Sequence, residues 1–174
     1  MAAIVGKITP MHPGFSILLA VAIALLAVPA DSRAEASEDT RSAIAAARVD
    51  YERARRAIDR MDWKEAVAAL ESAAQRDPAD AEFQNLLGFA HRNLGNMEAA
   101  FRHYDRALVL NPWHRGAHEY IGRAYLMADK PDKAIEHLKA LERLCAAGCR
   151  ERDLLRRAIE EYPWPPGARM SRRY

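Results

Sequence analysis

Aromatic residues make up only 7% of this 174-residue chain, and Val, Ile and Thr are sparse beyond residue 30. Both scarcities argue against a sheet, because β-branched and aromatic side chains pack best on a pleated surface. Also missing are a glycine-rich phosphate loop, a G-x-S-x-G turn, an H-E-x-x-H helix and any nucleophile with a base at fixed spacing. The sequence therefore predicts no enzyme, no cofactor and no small-molecule substrate. It has no long basic block, no zinc-finger spacing and no RNA-binding aromatic pattern, and its formal charge is +2, so nucleic acid is not an expected partner. The arginines of the C-terminal tail, Arg169, Arg172 and Arg173, read as part of a solvated, disordered segment over 163–174. What the chain has in plenty is alanine, the best helix former and the smallest side chain with a Cβ. An all-α fold of closely packed helices follows.

The first thirty residues differ from the rest. Lys7 is the only charge before an apolar run from Phe15 to Val28, and Val28-Pro29-Ala30 leaves small residues for a cut after Ala30. These are the parts of a secretory signal peptide over 1–30, and the run is shorter than the ~20 residues of a spanning helix. Export to the periplasm or medium is the expectation, in a setting of bacterial style. An uncleaved anchor in the inner membrane, formed by residues 15–28, is the alternative, and only then is the membrane a partner.

Past that segment the chain repeats itself. Pro78 and Pro112 lie 34 residues apart, and the alanines before them recur at equal offsets: Ala66 and Ala73, then Ala100 and Ala107. Ala134 continues the series, and Gly88 with Gly122 and Leu87 with Ile121 match at the same interval. This spacing and these residues resemble the tetratricopeptide repeat (TPR) family over about 47–146. The resemblance implies an α-solenoid of three antiparallel helix pairs, at 47–80, 81–114 and 115–148, after a linker over 31–46 that runs into the first helix. The small residues mark where backbones approach closely: Ala54, Gly88 and Gly122 on first helices, faced by Ala66, Ala100 and Ala134 on second helices. Pro78 and Pro112 end their pairs, and Asp80 stands ready to cap the next helix.

Two departures from the family pattern stand out. Arg53 occupies a usual leucine position, and the third repeat has Leu141 for alanine and Ala146 for proline, so its second helix is expected to end differently. The first helix of the first repeat is expected to begin near Asp39, since Thr40 to Arg60 contains no breaker. A stripe of Leu154, Leu155, Ala158, Ile159 and Tyr162 predicts a capping helix within 149–162, which a solenoid end requires.

Cys145 and Cys149 are the sharpest local feature. In an exported chain an even cysteine count favours a disulfide, here across the turn before the capping helix. Redox-active thiols or a soft metal ion are the other readings of the pair. His114 and His118, at i and i+4, lack a third ligand at useful spacing and read as a loop and a helix histidine at the surface, so no metal is expected. His91 and His103 are expected to hydrogen-bond locally within the repeats.

In TPR proteins the first helix of each pair lines a concave groove. Carried onto this sequence, that geometry implies a partner-binding face of Arg48, Tyr51, Arg55, Asn85, Phe89, Arg92, Glu119 and Arg123. Some family members hold a C-terminal carboxylate with a fixed set of Lys, Asn and Arg. The matching positions here hold Tyr51, Arg55, Leu86, Gly116 and Tyr120, so that clamp is not reproduced. The expected function is a scaffold or adaptor of the cell envelope that binds a peptide or helix. A redox or metal-handling protein built on Cys145 and Cys149 is the alternative.

Overall fold

A computed structural model describes residues 30–164, with side chains from residue 38 onward. The expected signal segment and most of the arginine tail lie outside the described residues. The chain forms two compact units, 1–41 and 42–174, and the repeats belong to the second. Among the described residues every regular element is a helix: α1 Ala30–Asp59, α2 Trp63–Arg76, α3 Ala81–Asn93, α4 Met97–Leu110, α5 Arg115–Met127, α6 Pro131–Leu144 and α7 Arg150–Glu160. The backbone over 31–46, expected as a linker, is helical and continuous with α1. Helix propensity runs unbroken from Ala30, so no residue there stops the helix near Asp39.

Helices pair because three-residue turns reverse the chain at the same register in each repeat. Met61, Gly95 and Asp129, spaced by 34 residues, all take the left-handed conformation, with φ of 58°, 80° and 56°. That conformation lets the next amide reach back over the helix end: Asp62 N–H donates to Ala57 O, Asn96 N–H to His91 O and Lys130 N–H to Tyr125 O, at 2.8–2.9 Å. Starts are capped as well. Asp62 accepts from Glu65 N–H, and Asp80 accepts from Glu82 and Phe83 N–H. Pro131 opens α6, where its missing N–H costs nothing.

Small residues set the packing. A Cβ built on Gly88 would lie 2.6 Å from the ring of Tyr104 on α4, so glycine admits that fully buried ring. Gly122, expected to meet α6, has Leu155 of α7 as its nearest neighbour, again at 2.6 Å from a built Cβ. Leu155 and Ile159 sit in one core with Ala134, Ile135, Leu138 and Leu141. Leu141, at the usual alanine position, is fully buried in this core with Leu155 and Ile159 of α7. Contrary to expectation, α6 ends in the same register as α2 and α4. Cys145 N–H caps Leu141 O just as Asp77 caps Ala73 O and Asn111 caps Ala107 O. Cys145 and Cys149 then form a disulfide with Cα atoms 5.7 Å apart, and Gly148, at φ 101°, turns the chain into α7.

Polar side chains bridge the two helices of every pair. In the first, Asp50 accepts from Ser72 Oγ at 2.7 Å and Arg76 Nε at 3.1 Å, which hold its carboxyl below the ordinary range; the Ser72 hydrogen bond is the larger cause. Arg53 joins the same bridge by pairing with Asp50 and with Glu65 on α2. Thirty-four residues on, Gln84 Oε1 meets His103 Nδ1 at 2.9 Å; thirty-four further, His118 Nδ1 meets His137 Nδ1 at 2.9 Å. Stacked rings accompany both contacts: His91 on His103, and Tyr125 on His137.

Candidate protein-interaction groove

The first helices carry the groove, and aromatic side chains from successive repeats build its wall. Phe89 on α3 faces Tyr120 on α5 with centroids 5.0 Å apart, and Trp63 meets the far edge of Phe89 at 5.6 Å. Arg92 lies over both Phe89 and Tyr120, at 5.2 and 5.6 Å, and donates to Tyr120 O at 3.3 Å. This arginine, expected to grip a partner, is buried and serves as part of the wall. Cation–π contact on two faces explains why a charged residue is tolerated there.

Beside the wall is a hollow of about 710 Å³ between α3, α5 and α7. Of the residues expected to line the groove, Asn85, Phe89, Glu119 and Arg123 come together here. Glu119 is buried and accepts from Arg123 Nη1 at 3.2 Å. Burial raises its carboxyl pKa, and the Arg123 hydrogen bond opposes the shift. Asn85 is buried too; its Nδ2 donates to Glu82 Oε2 at 3.0 Å, and its Oδ1 has no protein partner. The face is thus more internally bonded than a row of free side chains.

Arg48 and Tyr51 line a separate hollow of about 410 Å³ between α1 and α3. Arg55 lines neither. It donates to Tyr51 Oη at 3.1 Å with its guanidinium over that ring. The expected single groove is divided: Glu82 lines both of these hollows, and Arg92 and Arg123 line a further one of about 320 Å³ with Leu126, Met127 and Ala158.

Several lining residues carry no motif that sequence reasoning used. His114 caps α5: Nδ1 accepts from Ala117 N–H at 3.1 Å, which leaves the proton on Nε2, 3.0 Å from Glu82 Oε2. Its expected neighbour His118 turns away, donating from Nε2 to Pro112 O and pairing with His137, and neither histidine is a plain surface residue. Among the described residues no group of three or more His, Cys, Asp or Glu is placed to hold a metal ion. Trp113, 72% exposed, stands at the rim. Arg150, Glu151 and Leu154 come from α7, so the capping helix is also a groove wall. Its signal was present: α7 begins close to one repeat length after α5.

A family model described as "Tetratricopeptide repeat" matches residues 51–114 and 102–148, more than half of the chain. The chain belongs to the TPR family. Solved TPR structures share its fold. The TPR domain of Arabidopsis OM64 superposes with TM-score 0.62 at 16% identity, covering 68% of this chain and 97% of that one. The TPR2B domain of yeast Sti1 in its pHsp70 complex gives 0.61 at 22% identity, covering 66% and 95%. The first TPR of Spaghetti (RPAP3), bound to the HSP90 peptide SRMEEVD, gives 0.61 at 18%, covering 67% and 93%. At these identities the likeness concerns the fold. No curated protein matches the sequence.

Proposed function

We propose that this TPR protein is a non-catalytic scaffold that holds a peptide or helix of a partner protein, acting in the bacterial cell envelope after export. The observation that carries the reading is the hollow between α3, α5 and α7. It joins an aromatic wall, Phe89 and Tyr120, to polar groups at its edge, Arg115, Arg123 and Arg150. Rigid rings supply contact area at little entropic cost, and arginines pair well with carboxylates and carbonyl oxygens. TPR proteins are in general scaffolds rather than enzymes; the RPAP3 domain is bound to a peptide and the Sti1 domain is in a complex with pHsp70. The carboxylate clamp of some TPR proteins is not reproduced here, so a C-terminal carboxylate is not the proposed ligand. The export setting rests on the sequence of residues 1–30.

The test is affinity capture from envelope extract with wild type and an Arg123→Ala, Arg150→Ala variant, with circular dichroism as a control for folding. A partner recovered by wild type and lost by the folded variant supports the reading. Equal recovery by both contradicts it. Cell fractionation with N-terminal sequencing of the mature protein tests the setting, and a cytoplasmic chain that retains residues 1–30 overturns it.

A further inference from the structure

The hollow between α1 and α3 has a character of its own. Its floor is apolar: Ile44 and Ala47 from α1, with Phe83 from α3 under the ring of Tyr51 at 5.5 Å. Ile44 is 44% exposed, an uncovered aliphatic side chain at the edge of this floor. Its rim is acidic. Glu52, Asp77, Asp80 and Glu82 line it against one cation, Arg48.

The four carboxylates are not equivalent. Glu82 accepts hydrogen bonds from the neutral His114 imidazole and from Asn85 Nδ2, and Asp80 is partly neutralised by the N-terminus of α3, where it accepts two backbone amides. Asp77 accepts only a backbone amide, from Ala79 at 3.3 Å. Glu52 is exposed on α1, and among the described residues no cation pairs with Glu52 or Asp77 within 4.0 Å. Arg55 feels the charge of Glu52 without pairing with it, yet the rim keeps more carboxylates than cations; such an excess beside apolar surface attracts a ligand with the opposite arrangement.

We propose that this hollow is a docking site for a basic segment of a partner protein, in which one large apolar side chain is flanked by arginine or lysine. The apolar side chain covers Ile44 and the exposed part of the Tyr51 ring, which rests on the buried Phe83. The flanking cations meet Glu52 on one side and Asp77 on the other. This assignment rests on the concave face being a protein-binding surface. It differs from the α3–α5–α7 hollow in position and in charge, so the two are separable.

The test uses the full chain and three dye-labelled peptides: a leucine flanked by arginines, the same peptide with glutamate for arginine, and the same with alanine for leucine. Fluorescence anisotropy is read at low and at physiological salt. The arginine–leucine peptide is expected to bind about tenfold tighter than the glutamate peptide at low salt, with the preference shrinking as salt rises. Alanine for leucine weakens binding, and so does Ile44→Ser. Glu52→Lys, on an exposed helix face, is expected to weaken binding about fivefold and Glu52→Gln less, while Arg150→Ala in the other hollow has no effect. Equal binding of the arginine and glutamate peptides overturns the assignment, as does indifference to Glu52→Lys. Self-association of the chain that Glu52→Lys abolishes also overturns it, in favour of a second copy as occupant. Partner capture that needs Arg150 but ignores Glu52 sinks this proposal alone and leaves the proposed function standing.

Discussion

Gly122→Ala is the perturbation whose cost the structure fixes best. The added Cβ would stand 2.6 and 2.8 Å from the two Cδ atoms of Leu155 and 3.3 Å from its Cγ. Carbon atoms rest at about 3.5–4.0 Å, so something must move by about an ångström. Leu155 is fully buried in a core it shares with Leu138, Leu141 and Ile159, so its side chain has no free direction. Overpacking of this kind costs ~1–3 kcal/mol, against a gain of ~1 kcal/mol from replacing glycine inside a helix. The net expectation is a loss of up to about 2 kcal/mol. Leu155→Ala alone should cost ~2–4 kcal/mol by opening a cavity. Combining the two lets the new methyl occupy part of that cavity, so the double variant should be more stable than the sum by ~1 kcal/mol or more. Urea unfolding followed by circular dichroism, with the disulfide intact, measures all four corners of the cycle. Additivity within ~0.5 kcal/mol would refute the claim that α7 docks through this contact.

Three further outcomes follow from the same geometry. Met61→Gly should raise stability by ~0.5–1 kcal/mol, because the left-handed turn that glycine fills in the second repeat is occupied there by a side chain; an unchanged urea midpoint contradicts this. Tyr104→Phe should be neutral or stabilising, since the buried hydroxyl has no partner and its ionisation is pushed far up by burial; a loss of more than ~1 kcal/mol would mean a partner exists. Burial, with help from His118 and Lys133, holds His137 at about 4 in the folded chain, against 6.5 ordinarily. The unfolded chain therefore takes up the proton first, and stability is complete above about pH 6.5. Below that the His137 contribution falls by at most about 1.4 kcal/mol per pH unit towards pH 4, and His91, His103 and His118, lowered by burial as well, add to the slope. His137→Phe should reduce the slope between those limits, and a wild type with no slope there contradicts the burial argument.

How much of this was legible in the sequence depended on whether the repeat conserves letters or only roles. Pro78 with Pro112 and Gly88 with Gly122 repeat as letters, and they gave the helix pairs and the close approaches. Met61, Gly95 and Asp129 repeat a backbone conformation with three unlike residues, and Gln84–His103 and His118–His137 repeat a hydrogen bond with different donors. No search for identical letters finds these. The tight approach at Gly122 was legible, but its partner was not, because Leu155 belongs to a helix outside the repeats. The burial of Arg92 was not legible for a physical reason: a guanidinium on the inner face normally reaches solvent, and here it packs over two rings from successive repeats while still lining a hollow with Arg123. The groove residues Asn85, Phe89, Glu119 and Arg123 were legible as a group through family geometry, whereas the separation from Arg48 and Tyr51 arises from side chains that cross the face at Glu82. The end of α6 shows the converse. Without Ala or Pro at the usual places it keeps its register, because the cap depends on a backbone amide and the core on volume.

The central claim is that a protein partner sits in the hollow between α3, α5 and α7. Site-specific photo-crosslinking in living cells tests it whatever the partner's identity. A benzophenone amino acid is placed at Trp113 on the rim or at Val109, an exposed position on α4 that does not line the hollow. The account predicts a discrete crosslinked adduct of higher mass from position 113 and none from 109. Adducts from 109 alone, or equal adducts from both, would contradict it.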